Sequence, residues 1–195
     1  MAYDSTATRA RLLAAAYEEF VRVGLAGARV ERIATAASAN KQAIYAYFGS
    51  KEALFDAVLA DRLRILADVA PFTPDDLPGY VGALFDALVA DPGVQRLSQW
   101  KMLEIPEASE GEVDAHVSKA AALADHHGVG MAAATDVMMI VLAAALSWNT
   151  TAAKIRNPLD GDAAQRLADH RAAVVGAVAA VADALLSGPP ARTDT

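Results

Sequence analysis

Apolar positions along this chain recur at helical spacing from end to end, and no segment sustains the two-residue alternation of a half-buried strand. Leu13, Ala16 and Phe20 share one face of a first helix, Thr6 to Val23, with Leu12 and Tyr17 beside them. Gly24 is placed to end it. A short second helix, Val30 to Ala37, buries Ile33, Ala34 and Ala37, and Ser38-Ala39 leaves room only for a tight turn. Asn40 then suits the N-cap of a third helix, Lys41 to Phe48. Gly49-Ser50 stops that helix. Ser50 can cap a fourth, which carries Leu54, Phe55, Val58, Leu59, Leu63 and Leu66 as far as Pro71.

Proline and glycine punctuate the remainder. A fifth helix starts near Thr73-Pro74 or Pro78 and ends at Asp91-Pro92-Gly93, and a sixth runs Val94 to Glu104. A seventh spans Glu112 to His127, before Gly128. Two long helices follow, Met131 to Ile155 and Ala163 to Leu186, the second closed by Gly188-Pro189-Pro190. The expectation is an all-α chain of about nine helices. It would divide into a domain over residues 1–50, a larger helical domain over 51–188, and a disordered tail over 189–195.

Composition sharpens this picture in three ways. The chain is 54% hydrophobic but only 6% aromatic, with alanine abundant, which favours helix. It has no cysteine, so disulfides, thiolate zinc sites and cysteine nucleophiles are excluded. The N-terminus lacks a signal-peptide layout, and the stretch Val137 to Trp148 is too short to span a bilayer. These features predict a soluble, cytoplasmic protein with no membrane partner. The net charge of −7 is unevenly placed. Residues 1–60 hold seven Lys/Arg against six Asp/Glu, whereas residues 61–195 hold ten against eighteen. The acidity therefore gives no argument against an anionic partner for the N-terminal part.

That matters for the stretch NKQAIYAYFGSKEALF, residues 40–55. Two short helices separated by a tight turn, behind a longer supporting helix, form a helix-turn-helix, whose second helix fits the major groove of DNA. Ile44, Tyr47 and Phe48 fall on the side that packs on Phe20 and Ile33. Gln42 and Ala46 lie opposite, with Lys41 and Tyr45 on the flank. An amide suits base edges, while an ammonium and a phenol suit phosphates, and Lys51 is placed for a second phosphate contact. Residue chemistry alone also fits an aromatic core ringed by solvated lysines.

The run from Gly24 to Leu54, with Val30, Ile33-Ala34, Lys41, Tyr45, Tyr47-Phe48 and Ser50-Lys51-Glu52-Ala53-Leu54, resembles the N-terminal domain of TetR-family transcriptional regulators. The motif covers about the first quarter of the chain; helix number and the two long final helices agree more loosely. The resemblance implies an all-α homodimer with an N-terminal DNA-binding domain and a small-molecule pocket in the C-terminal domain. It places DNA contacts on Arg29, Lys41, Gln42, Ala43, Tyr45, Tyr47 and Lys51. Three positions depart from the family pattern: Ala28 and Ala43 stand where threonines are usual, and Ser38 where a turn glycine is usual.

In the C-terminal part, Val174, Val178, Val181 and Leu185 form a seam on the last helix suited to another helix, and the family implies a dimer interface there. Phe85, Trp100, Met102, Met138 and Trp148 are bulky side chains among alanines and are candidate ligand-lining groups. Asn149 and His116 are candidates to orient a neutral or weakly polar ligand, and Asn149 equally suits a hydrogen bond across a dimer. A methionine or aromatic stripe at helical spacing is more often plain core, and each of the bulky side chains suits that role first. His116, His126 and His127 match no strong metal-ligand spacing. No phosphate-cradling glycine loop, nucleophile elbow or histidine–glutamate metal motif occurs, so neither an enzyme, a cofactor nor a metal is expected. The reading is a repressor that binds a palindromic operator as a homodimer and is released by a small effector. Rivals are a helix-turn-helix regulator without a small-molecule ligand and an acidic helical interaction module.

Overall fold

The computed structural model describes residues 2–158 and 161–186, with side chains from residue 5 onward. The tail expected over 189–195 lies outside the described residues. Ten helices and no strand are present among them: α1 Ala2–Gly27, α2 Val30–Ala36, α3 Lys41–Phe48, α4 Lys51–Val69, α5 Leu77–Ala90, α6 Pro92–Glu104, α7 Glu110–His127, α8 Met131–Thr150, α9 Ala153–Arg156 and α10 Ala163–Leu186. The fold is all-α, as the hydrophobic periodicity requires.

The chain forms two compact units, and the first is not continuous in sequence. It comprises residues 1–66 together with 92–107, and the second comprises 67–91 together with 108–195. The sequence reading placed all of 51–188 in one domain. In the structure α4 begins within the first unit, and α6 packs against α1.

In the first unit, Leu12, Ala16, Phe20, Ile33, Ile44, Leu54 and Phe55 are wholly buried, and Leu97 of α6 joins them. The Phe20 and Phe55 rings meet edge to face at 5.0 Å and 77°. Such a pair adds roughly 1 kcal/mol beyond the area it buries. This core is what fixes α2 and α3 on α1.

In the second unit α5, α7, α8 and α10 pack around Val81, Phe85, Leu88, Leu123, Val137, Val141 and Val178. A Cβ at Gly82 of α5 would meet the tip of Arg171 at 3.0 Å and Val175 Cγ2 at 3.4 Å, both on α10. Arg171 in turn grips Asp86 with two hydrogen bonds of 2.7 Å. Helix α7 opens on a capping box between Ser109 and Glu112 and closes on Gly128, at φ 65°.

The single helix expected from Met131 to Ile155 is two helices. Thr151 is extended (φ −98°, ψ 132°) and ends α8. The hydroxyls of Thr150 and Thr151 donate to the Ser147 carbonyl at 3.1 and 2.8 Å, taking up an acceptor left without an intrahelical partner. By length and composition α8 could cross a membrane, unlike the shorter stretch singled out from sequence. Here it packs on α5, α7 and α10 with Ala134, Val137, Val141 and Ala145 inward.

Candidate nucleic-acid interface and helical second unit

The turn between α2 and α3 is built by backbone hydrogen bonds. Ala39 N–H donates to Ala34 O (2.9 Å) and Ser38 N–H to Thr35 O (3.1 Å), the Schellman arrangement. Its left-handed position is held by Ser38, at φ 51°. A serine therefore bears a conformation that glycine adopts without cost. Arg11 Nε reinforces the turn from α1 by donating to Ala37 O at 3.2 Å.

Helix α3 starts where the sequence places it. Asn40 Oδ1 accepts from Ala43 N–H at 2.7 Å. Ile44 is fully buried beneath the helix, and Phe48 is half-buried under the Arg9 guanidinium, 5.3 Å from its ring centre. Lys41, Gln42, Tyr45 and Tyr47 are exposed. Tyr47 thus departs from the core side assigned by the helical wheel. Ala43, half-buried, packs partly against the core.

The cations have partners of their own. Lys41 Nζ lies 2.6 Å from Glu31 Oε1. Lys51 Nζ donates to Leu25 O at 2.7 Å and reaches Ala28 O at 3.4 Å, so it closes the end of α1. A phosphate contact by Lys51 would use its remaining N–H. The N-cap of α2 is Arg29, one residue beyond Ala28, and its side chain makes no capping bond.

Two carboxylates that sequence reasoning passed over organise this head. Glu19, only 7% exposed on α1, accepts from Arg29 N–H (3.2 Å) and pairs with Arg22 and, at 3.6 Å, with Arg32. Burial alone would raise its pKa. The hydrogen bonds from Arg22 and Arg29 N–H, with the charges of Arg22 and Arg32, outweigh burial and hold the carboxyl below the usual range. A carboxylate with a depressed folded pKa contributes stability that is complete above its unfolded pKa and is lost as pH falls through the folded value. Wild type should therefore be more stable than Glu19→Gln at neutral pH, with the gap closing below the ordinary carboxylate range. Thermal melts of both proteins from neutral pH downward check this; a gap that stays constant rules it out.

The second carboxylate is Glu104 of α6. Helix α1 breaks at Gly24 (φ 72°, ψ −176°), and a final turn resumes at Leu25. The N–H groups of Leu25 and Ala26 both donate to Glu104 Oε2, at 2.7 and 3.0 Å. Trp100 Nε1–H donates to Val21 O on the other side of the break, at 3.3 Å. Gly24 was legible as a helix end; the acid and the indole that meet it were not, because they lie 75 or more residues away in sequence.

Among the ligand candidates, Trp100 is thus engaged with α1, and Met102 is 75% exposed on α6. His116 is exposed, its Nδ1 2.7 Å from Glu112 O. Phe85, Met138, Trp148 and Asn149 belong to the second unit. Phe85 and Trp148 flank the His170 imidazole, at 5.9 and 5.4 Å between ring centres. Asn149 Nδ2 donates to Leu88 O at 2.8 Å. His170 was missed, although its spacing of four and eight from Val174 and Val178 marks the inner face of α10. Its Nε2 is 2.9 Å from Ser147 Oγ. Burial, and then the charge of Arg166, push its pKa below the ordinary histidine value.

The valine seam requires correction. Val174 and Val178 are buried within the chain itself, Val178 to 1% exposure, because they face the interior of the second unit. Val181 is half-buried and Leu185 exposed. The uncovered stripe of α10 is Ala173, Gly176, Ala177, Ala180 and Ala184. Helix α8 leaves Ala132, Met139 (65% exposed), Ile140, Leu142 and Ala143 uncovered.

A supporting helix with one buried face, a two-helix reader joined by a tight turn, and polar side chains standing outward on α3 together form the helix-turn-helix of DNA-binding proteins. Two sequence profiles account for most of the chain: "Bacterial regulatory proteins, tetR family" over residues 12–58 and "Tetracyclin repressor-like, C-terminal domain" over residues 76–179. The HTH-type transcriptional repressor SCO4008 of Streptomyces coelicolor is 39% identical over 82% of this chain and 87% of its own. The HTH-type transcriptional repressor NicS of Pseudomonas putida is 47% identical over 30% of this chain and 27% of its own. The crystal structure of SCO4942 from Streptomyces coelicolor superposes with a TM-score of 0.75 at 36% identity, covering 88% of this chain and 96% of that one. The chain belongs to the TetR family of transcriptional regulators.

Proposed function

We propose that the protein is a repressor that binds a palindromic operator as a homodimer and is released by a small effector held in the second unit. The observation that carries the DNA reading is the head itself: α3 is anchored by a fully buried Ile44 and capped by Asn40, and presents Lys41, Gln42 and Tyr45 outward. Gln42 is the group suited to a base edge. Lys41, Tyr45 and Arg29 are suited to phosphates. Pairing two such heads needs a dimer, and the uncovered stripes of α8 and α10 supply small and apolar surface for it. The last two helices serve this role in the family, and each half-site would lie about 34 Å from the next.

Phe85, Met138, Trp148 and Asn149 are the groups proposed to meet the effector, and His170, whose ring lies beside Phe85 and Trp148, joins the proposal. Among proteins of this fold is a TetR variant from Acinetobacter baumannii in complex with minocycline, at 16% identity. That likeness supports the fold, and the chemistry of the effector here rests on this chain's own side chains. An effector shifts the equilibrium only by its difference in affinity for the two states, so it and the operator must weaken each other equally.

The test is Lys41→Ala against an operator duplex selected by the wild-type protein from a random-sequence library. Loss of one phosphate contact should weaken binding several-fold and flatten the slope of log affinity against log salt by about 0.9. An unchanged slope removes Lys41 from the phosphate contacts.

A further inference from the structure

The basic side chains around the reader are largely committed inside the protein. Arg32 is held by Glu19, Lys51 by the carbonyls of Leu25 and Ala28, and Lys41 by Glu31. Arg29 forms no ion pair among the described residues. The Glu31–Lys41 pair stands apart from the others because both partners are on the surface, 66% and 47% exposed, with nothing burying them. It joins the first turn of α2 to the first residue of α3 across ten positions of sequence. The hydrogen bond from Lys41 lowers the pKa of Glu31, and the same bond raises that of Lys41, so both remain ionised at neutral pH.

A carboxylate is an unexpected neighbour for an ammonium that is to meet phosphate. Binding to random DNA comes almost wholly from phosphate neutralisation, whereas operator binding adds base contacts that form only when the reader is seated in the groove. An exposed ion pair is weak enough to be exchanged for a phosphate held in place by those contacts. It is also strong enough to compete with a phosphate that is not so held. We propose that Glu31 withholds the Lys41 ammonium from DNA phosphate until α3 is seated on operator sequence, making Glu31 a selectivity residue that suppresses binding to random DNA. The inference rests on the assignment of Lys41 to a phosphate in the operator complex.

A four-protein cycle tests it: wild type, Glu31→Gln, Lys41→Gln and the double variant. Each is titrated by fluorescence anisotropy, at low salt, against the library-selected duplex and a shuffled duplex of the same length and composition. Because the pair is exposed, all four should melt at similar temperatures, which is checked first. Glu31→Gln should tighten binding to the shuffled duplex about fivefold, the size an exposed pair can supply, and steepen its salt dependence. Binding to the selected duplex should tighten by less, so the selectivity ratio falls. On the shuffled duplex, Lys41→Gln alone should have little effect but should cancel the gain when combined with Glu31→Gln.

If Glu31→Gln tightens shuffled binding equally with and without Lys41, Glu31 acts as bulk negative charge and the proposal fails. It also fails if Glu31→Gln weakens the selected duplex alone, since Glu31 would then be reading a base, such as a cytosine amino group. A Lys41→Gln protein that binds the selected duplex as wild type does would instead overturn the phosphate assignment beneath the proposal. These three results are distinguishable in the same data.

Discussion

Gly24→Ala should destabilise the protein by roughly 4 kcal/mol, far more than the usual cost of alanine for glycine at a turn. Two effects add. The backbone at φ 72°, ψ −176° lies in a region that is nearly closed to residues with a Cβ, which costs 1–3 kcal/mol or so. The new Cβ would also sit 2.6 Å from Glu104 Oε1 and 2.8 Å from the Trp100 ring. Those groups cannot withdraw freely, because Glu104 holds the N–H groups of Leu25 and Ala26 and Trp100 holds Val21 O. Gly49 is the control. It has φ 83° and ψ −51°, but nothing lies within 4 Å of its would-be Cβ, so Gly49→Ala should carry only the backbone penalty, roughly 1–3 kcal/mol. Denaturant midpoints of the two variants measure the difference. Equal costs would mean that the packing of α6 on this break contributes nothing.

Ala177→Asp should turn the proposed dimer into a folded monomer and cut operator affinity by roughly 10²- to 10⁴-fold, the factor by which linking two sites exceeds one. Ala177 lies on the uncovered stripe of α10, so the carboxylate meets water in a lone chain and only a symmetric partner would bury it. There each interface would desolvate two such charges facing related surfaces, at a cost of several kcal/mol. Val178→Asp, one residue further on, places the charge at a side chain that is 1% exposed within the chain and should unfold the second unit instead. Sedimentation with circular dichroism separates these results. A wild-type protein that sediments as a monomer at micromolar concentration, or an Ala177→Asp dimer, would rule out α10 as the interface.

What the sequence revealed followed the range of the forces involved. The N-cap by Asn40, the stop at Gly49 and the buried face through Ile44 depend on neighbours within a turn or two, and each was readable from spacing alone. The partners of Gly24 were not, since Glu104 is brought to Leu25 by the tertiary packing of α6 on α1. The end of α8 was missed because hydroxyl competition at Thr150 and Thr151 is a weaker signal than glycine or proline. The valines of α10 were readable as buried, but a helical stripe does not say which surface it meets. Val174 and Val178 are buried against their own chain. The charges were the least legible: Lys41 and Lys51 read as free cations, and only geometry shows what holds them.

The return of α6 to the first unit has a consequence for how this protein can be taken apart. A fragment cut after residue 66 would keep all of α1 to α3 and most of α4, yet lack Leu97, Trp100 and Glu104. It would expose apolar surface that Leu97 covers and leave the last turn of α1 without its acid cap. The DNA reader is therefore not a transferable N-terminal cassette. A chimera that grafts this reader onto a relative's C-terminal domain would have to carry α6 with it, or rebuild the acid and the indole at the matching positions. Exchange of specificities by simple recombination at one crossover would be penalised, and an exchange with crossovers on both sides of α6 would be favoured.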